Sequence, residues 1–211
     1  MPKIKKDALN REVRFIPIDQ LEVRDEGDDT KIVFGLAAPY ERQTDLGYFK
    51  ETFAEGAFKK GIDERRDAFA LFHHDFKNVL GRTGAGTLTL EDRADGVHYE
   101  LDMPDTALGR DLLVSIRRKD IEGVSVSWPY DSVKDEWDHS VDPPERRITE
   151  AELVEMSITA IPAYTDTTLA QRSLEAARKQ FPTADANANA NENRTVAPSV
   201  RTLRLRARQL R

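Results

Sequence analysis

Three short β-rich runs, each stopped by a proline, constrain this chain more than any other feature. Lys31-Ile32-Val33-Phe34-Gly35-Leu36-Ala37-Ala38 ends at Pro39, Val124-Ser125-Val126-Ser127-Trp128 ends at Pro129, and 153–161 ends at Pro162. β-Branched and aromatic side chains suit a pleated, half-buried strand. Proline lacks the N–H that would continue a ladder. The runs 87–90 and 97–102 alternate apolar with polar residues and flank Asp95-Gly96, a strong hairpin signal. Residues 68–72 and 147–149 read as two more strands. Val13, Phe15, Pro17 and Ile18 suggest an edge strand ahead of them.

Helical periodicity is rarer. Residues 55–62 predict a short helix. Asp105 is placed to cap a second, with Leu108, Leu112 and Ile116 four apart on one face. Residues 169–181 carry Ala170, Leu174, Ala177 and Phe181 on one face and are closed by Pro182. The polar stretch 131–147, with Pro143-Pro144, predicts a loop or ragged hairpin. About seven strands and three helices therefore fall within 31–182, enough chain to close a small barrel around one core.

Beyond Pro182 the chain changes character. The Ala/Asn run at 184–191 has nothing to bury and predicts disorder. Residues 183–211 hold six Arg against Asp185 and Glu192, a balance of +4. The whole chain is −6, so residues 1–182 carry −10. An acidic body does not bind nucleic acid through a broad basic face, and the Arg-rich tail alone reads as a solvated arm. The chain has no Cys, which removes disulfides, thiolate metal sites and cysteine nucleophiles. No apolar run approaches the ~20 residues of a membrane span, and the basic start Met1–Asp7 lacks the apolar segment of a secretory signal. These features predict a protein kept in a reducing cytoplasm.

The candidate chemistry lies on three strands. His73 and His74 end an apolar strand, and alternation along it lets only one face a given site. A two-His metal centre on a strand wants i, i+2 spacing, and no His-Glu-x-x-His is present. Ser125 and Ser127 lie on the polar face of a strand whose other face is Val124, Val126 and Trp128. Glu155, Ser157 and Thr159 oppose Val154, Met156 and Ile158 in the same way. Taken alone, each is an ordinary half-buried strand, with Glu155 on a solvated outer face. Taken together, they supply a nucleophile, a base and an orienting acid in the order His, Ser, Glu. The residues alone leave His73 or His74, and Ser125 or Ser127, as alternatives.

Six segments in order carry a resemblance. They are Phe34-Gly35-Leu36-Ala37-Ala38-Pro39-Tyr40, Glu55-Gly56-Ala57-Phe58, Leu71-Phe72-His73-His74-Asp75, Leu80-Gly81-Arg82-Thr83, Gly123-Val124-Ser125-Val126-Ser127-Trp128, and the run from Leu153 to Tyr164. Over residues 30–170 this succession resembles the prohead (capsid maturation) proteases of tailed bacteriophages. That family is similar in fold to the herpesvirus assemblins, so the resemblance implies an α+β fold, a closed, mostly antiparallel β-barrel of about seven strands surrounded by helices. It also implies a serine endopeptidase with His74, Ser125 and Glu155 as catalytic residues. Ser127 departs from the family pattern, which usually has Gly there.

The resemblance further implies cleavage of the major capsid protein's scaffolding segment, or a separate scaffold, and of the protease itself. That would take place in the host cytoplasm, inside the assembling procapsid. It calls for no cofactor, metal, nucleic acid or membrane, and it allows a homo-oligomer. The expected organisation is an N-terminal arm at 1–30, a protease domain at 31–182 and a disordered tail at 183–211. A non-catalytic capsid-assembly or scaffolding protein on the same barrel is the alternative function.

Overall fold

The computed structural model of the chain describes residues 11–17, 21–27 and 30–160, all within one compact unit, Met1–Leu174. The expected helix at 169–181 and the expected disordered tail lie outside the described residues.

Among the described residues there are thirteen strands and two α-helices. The first strands are β1 (Arg11–Pro17), β2 (Glu22–Gly27), β3 (Thr30–Pro39), β4 (Thr44–Asp45) and β5 (Lys50–Phe53). After the short helix α1 (Lys59–Asp63) come β6 (Phe69–Phe72), β7 (Asp75–Arg82), β8 (Leu88–Arg93) and β9 (Gly96–Asp102). Helix α2 (Ala107–Arg117) precedes β10 (Gly123–Pro129), β11 (Lys134–Asp138), β12 (Glu145–Glu150) and β13 (Glu155–Thr159).

The strands form three sheets, ordered β1-β10-β13-β6-β7, β11-β12-β5-β4 and β2-β3-β9-β8. The pairings β12–β5 and β13–β6 are parallel, and the other described pairings are antiparallel. This corrects the expected fold class. A barrel closes only when its first and last strands pair, whereas each of these sheets ends on two different edge strands. The two α-helices among the described residues are also too few to surround a barrel. The fold is mostly β, in three open sheets.

The miscount has local causes. Residues 131–147 form the ragged hairpin rather than the loop, with a register shift between Lys134 and Asp135. Strands β11 and β12 pair antiparallel across that stretch, and β12 continues onto β5. Strand β7, at the edge of the five-stranded sheet, covers 75–82, a stretch that the expected strands do not include. Helix α2 starts one residue later than expected. Its cap is Thr106, whose hydroxyl accepts a hydrogen bond from the Gly109 N–H at 3.1 Å, and not Asp105.

One apolar core joins the layers. Val124, Val126 and Trp128 of β10 and Met156 and Ile158 of β13 are fully buried in it, and Leu112 and Ile116 of α2 pack into the same core. The Trp128 ring lies 5.3 Å from Phe53 and 5.9 Å from Phe58. The opposite face of β10 and β13 is polar, and it carries the candidate chemistry.

Candidate active site

The register of β10 against β13 fixes which polar side chains meet. Ser127 stands opposite Glu155, and Ser125 stands opposite Ser157. Directly opposite residues share a face, so three hydroxyls and one carboxylate form a single polar patch. All four side chains are fully buried. Glu155 is thus not on a solvated face. A buried carboxylate is tolerated only when hydrogen-bonded or paired, and this one is held by several donors.

The candidate base arrives from the neighbouring strand. β6 runs parallel to β13, pairing Ser157 with Leu71 and Ile158 with Phe72. Beyond Phe72 the chain reverses into β7, with Phe72 paired to Asp75. His73 and His74 are the two central residues of this tight hairpin, at φ 53° and 59°. Positive φ at both central residues is the signature of a type I′ turn, and strand alternation does not govern such a turn. Both histidines therefore reach β13. Nδ1 of His74 lies 2.9 Å from Oε2 and 3.1 Å from Oε1 of Glu155. Nδ1 of His73 lies 3.0 Å from Oγ1 of Thr159. Burial, and then the neighbouring His74, hold His73 below the ordinary histidine pKa.

A carboxylate only accepts, so His74 Nδ1 carries the proton that it shares with Glu155. Nε2 of His74 is buried and makes no hydrogen bond. This arrangement suits a general base, whose free nitrogen must accept the nucleophile's proton.

The two serines of β10 are bound differently. Ser127 Oγ donates to Glu155 Oε2 at 2.7 Å and accepts from Arg11 Nη1 at 3.3 Å. Ser125 Oγ donates to the Arg14 carbonyl of β1 at 3.0 Å. The structure thus brings His74 and Glu155 into contact and sets Ser125 on the same patch, with its hydroxyl turned toward β1. Ser157 Oγ donates to Glu155 Oε1 and accepts from the His74 backbone N–H at 2.9 Å.

Strand β1 pairs with β10 along its whole length, Phe15 facing Ser125 and Val13 facing Ser127. A Cβ at Gly123 would meet the Phe15 ring, so glycine is what lets Phe15 sit there. Arg11 adds a charge 3.6 Å from Glu155 Oε2 and lies over the Phe76 ring. On its other face β1 brings Glu12 and Arg14 into a buried ionic cluster with Glu51 and Arg146.

Residues 19–180 match the description "Caudovirus prohead serine protease". The chain belongs to the caudovirus prohead serine protease family. Its fold is also similar to the bacteriophage T4 capsid assembly protease gp21, at 12% identity and a TM-score of 0.45. That likeness covers 72% of this chain and 99% of the T4 chain. No curated protein sequence matches. Membership in the prohead protease family makes a capsid maturation protease of this chain.

Sequence reasoning gave no role to two residues of this prohead protease's candidate site. Ser157 carried a usable signal, since it lies on Glu155's face one strand period away. Arg11 carried none, because its contact with Ser127 spans 116 positions and depends on β1 pairing with β10. Among the described residues no cluster of His, Asp and Glu is placed to hold a metal. A surface cleft of about 580 Å³ is lined by Lys60, Arg66, Asp131, Lys134, Glu150 and Glu152 and includes none of the three catalytic candidates. Its charges largely pair among themselves, as in Lys60–Glu150 at 3.0 Å and Lys134–Glu150 at 2.7 Å.

Proposed function

We propose that this chain is a serine endopeptidase in which Ser125 attacks the scissile carbonyl, His74 takes its proton at Nε2, and Glu155 orients and stabilises the imidazolium. The observation that carries this reading is the His74–Glu155 pair, with Nδ1 engaged at 2.9 Å and Nε2 buried without a partner. Ser125 is preferred as nucleophile because its hydroxyl is bound only to a backbone carbonyl. Ser127 is already donor to the acid and acceptor from Arg11. For attack, the Ser125 hydroxyl leaves the Arg14 carbonyl and turns to Nε2, so the β1 contact yields first.

The substrates are the major capsid protein's scaffolding segment or a separate scaffold, together with the protease itself. The setting is the procapsid in the host cytoplasm. Membership in the prohead protease family supports this choice.

The test is co-expression of wild type and Ser125→Ala with the cognate capsid protein, followed by intact-mass analysis of every chain. Cleavage by wild type alone supports the reading. Full-length capsid protein in both, with normal shell assembly, favours the non-catalytic scaffolding role instead.

A further inference from the structure

The Glu155 carboxylate is gripped at both oxygens. Ser127 donates to Oε2 from directly across the ladder, and Ser157 donates to Oε1 from two residues along the same strand. Arg11 stands 3.6 Å from Oε2, and His74 Nδ1 spans both oxygens. An ionised carboxylate offers about four acceptor sites, so these donors leave it little freedom to rotate. Ser157 does more than hold the acid. Its oxygen accepts the His74 backbone N–H at 2.9 Å, so one hydroxyl ties the acid to the turn that carries the base. That turn holds two histidines at positive φ, a conformation non-glycine residues avoid. It persists only where its surroundings fix it. Ser157 is one tether, and the His73 N–H to the Ile158 carbonyl at 3.2 Å is another.

We infer that Ser127 and Ser157 are positioning residues, a hydroxyl clamp that fixes the Glu155 carboxylate and, through Ser157, the His74 turn. This rests on the triad reading above. Neither hydroxyl is needed to touch substrate; Ser127 acts through Glu155, and Ser157 acts through Glu155 and through the His74 turn. In this role Ser127 does what a glycine at that position cannot.

The experiment uses the full-length protein and a fluorophosphonate probe, which reacts with an activated serine without requiring a known substrate sequence. Ser157→Ala and Ser127→Ala are made in the wild-type and in the Glu155→Gln backgrounds. Each should slow labelling of Ser125 by about 10- to 100-fold in the wild-type background, the scale of a small misplacement in a catalytic constellation. On Glu155→Gln, Ser127→Ala should add little and Ser157→Ala should keep only the part of its effect that comes from the His74 tether, because residues acting as one unit are non-additive.

Proton NMR of the His74 Nδ1–H gives a readout independent of rate. The signal should be present in wild type and shifted or broadened in folded Ser157→Ala. Unchanged labelling, or equal slowing in both backgrounds, overturns the clamp. If Ser157→Ala fails to fold, Ser127→Ala decides by the same criteria. Wild type that is never labelled at Ser125 overturns the nucleophile assignment instead, while the NMR signal still reports on the clamp.

Discussion

Ser127 and Glu155 are direct cross-strand neighbours, and the Ser127 hydroxyl donates to the Glu155 carboxylate at 2.7 Å. In a triad the nucleophile addresses the base, and the acid addresses the base from its other side. A serine whose hydroxyl already engages the acid is the less suited of the two to address the base, which is why the proposed nucleophile is Ser125.

Ser125→Ala should therefore abolish cleavage of the cognate capsid protein, a loss on the order of 10⁴ to 10⁶ in rate. Ser127→Ala should keep measurable activity, lower by about 10- to 100-fold. Rates come from time courses of capsid-protein cleavage by both variants. An inactive Ser127→Ala beside an active Ser125→Ala would move the nucleophile one facing pair along β10.

The histidines separate in the same assay. His74→Ala should fold and be inactive, whereas His73→Ala, which removes the hydrogen bond to Thr159 and the edge-on contact with the Phe72 ring, should retain activity. Glu155→Gln should keep its circular dichroism spectrum and lose rate by about 10⁴, as an amide neither fixes the tautomer nor stabilises imidazolium. Activity surviving in His74→Ala but not in His73→Ala would give the base role to the other ring of the turn.

Legibility varied with how far apart in sequence the deciding partners lie. The strands at 31–39, 97–102 and 123–129 were readable because alternation and a terminating proline or a hairpin signal are local. The polar face holding Ser125, Ser127, Glu155 and Ser157 was readable for the same reason. The state of Glu155 was not. Its donors come from β1, β6–β7 and β10, so a side chain that reads as solvated is fully buried. The end of the strand at His73-His74 is legible, but the type of turn is not, because two histidines lack the Asn-Gly or Asp-Gly signal, and strand alternation therefore lets only one of them face the site. Closure of the sheets depends on which distant edges pair, and no local pattern encodes that.

The buried cluster of Glu12, Arg14, Glu51 and Arg146 illustrates the same limit and makes an acid-stability prediction. Burial alone would raise the Glu12 carboxyl pKa. Arg14 and Arg146 more than reverse that and hold it below the ordinary glutamate value. A lowered folded-state pKa stabilises the fold above the unfolded value, and that contribution is lost as pH falls through the folded one. Thermal stability should thus decline below about pH 4, where unfolded glutamate takes up protons. Glu12→Gln should cost about 3–5 kcal/mol at neutral pH, since it leaves buried guanidinium charge short of a partner. It should also flatten the acid decline. Melting curves of both proteins from pH 3 to 7 measure this, and parallel curves would remove Glu12 as the titrating group.

The last prediction concerns how β1 is seated on the nucleophile strand. A Cβ at Gly123 would collide with the Phe15 ring and come within 3.1 Å of the Thr159 carbonyl. Phe15 belongs to an edge strand, so it is the partner able to move, whereas Thr159 sits inside the sheet. Gly123→Ala should destabilise the protein by about 1–3 kcal/mol, the usual cost of overpacking. Phe15→Ala should relieve part of that cost, so the double variant is more stable than the sum of the single effects predicts. Because β1 also supplies the carbonyl that holds Ser125 Oγ, displacing it should change how fast Ser125 reacts with a fluorophosphonate. Urea midpoints for the wild type, both single variants and the double variant give the coupling, with labelling rates measured beside them. Strict additivity in the midpoints would mean that Phe15 does not impose glycine at position 123.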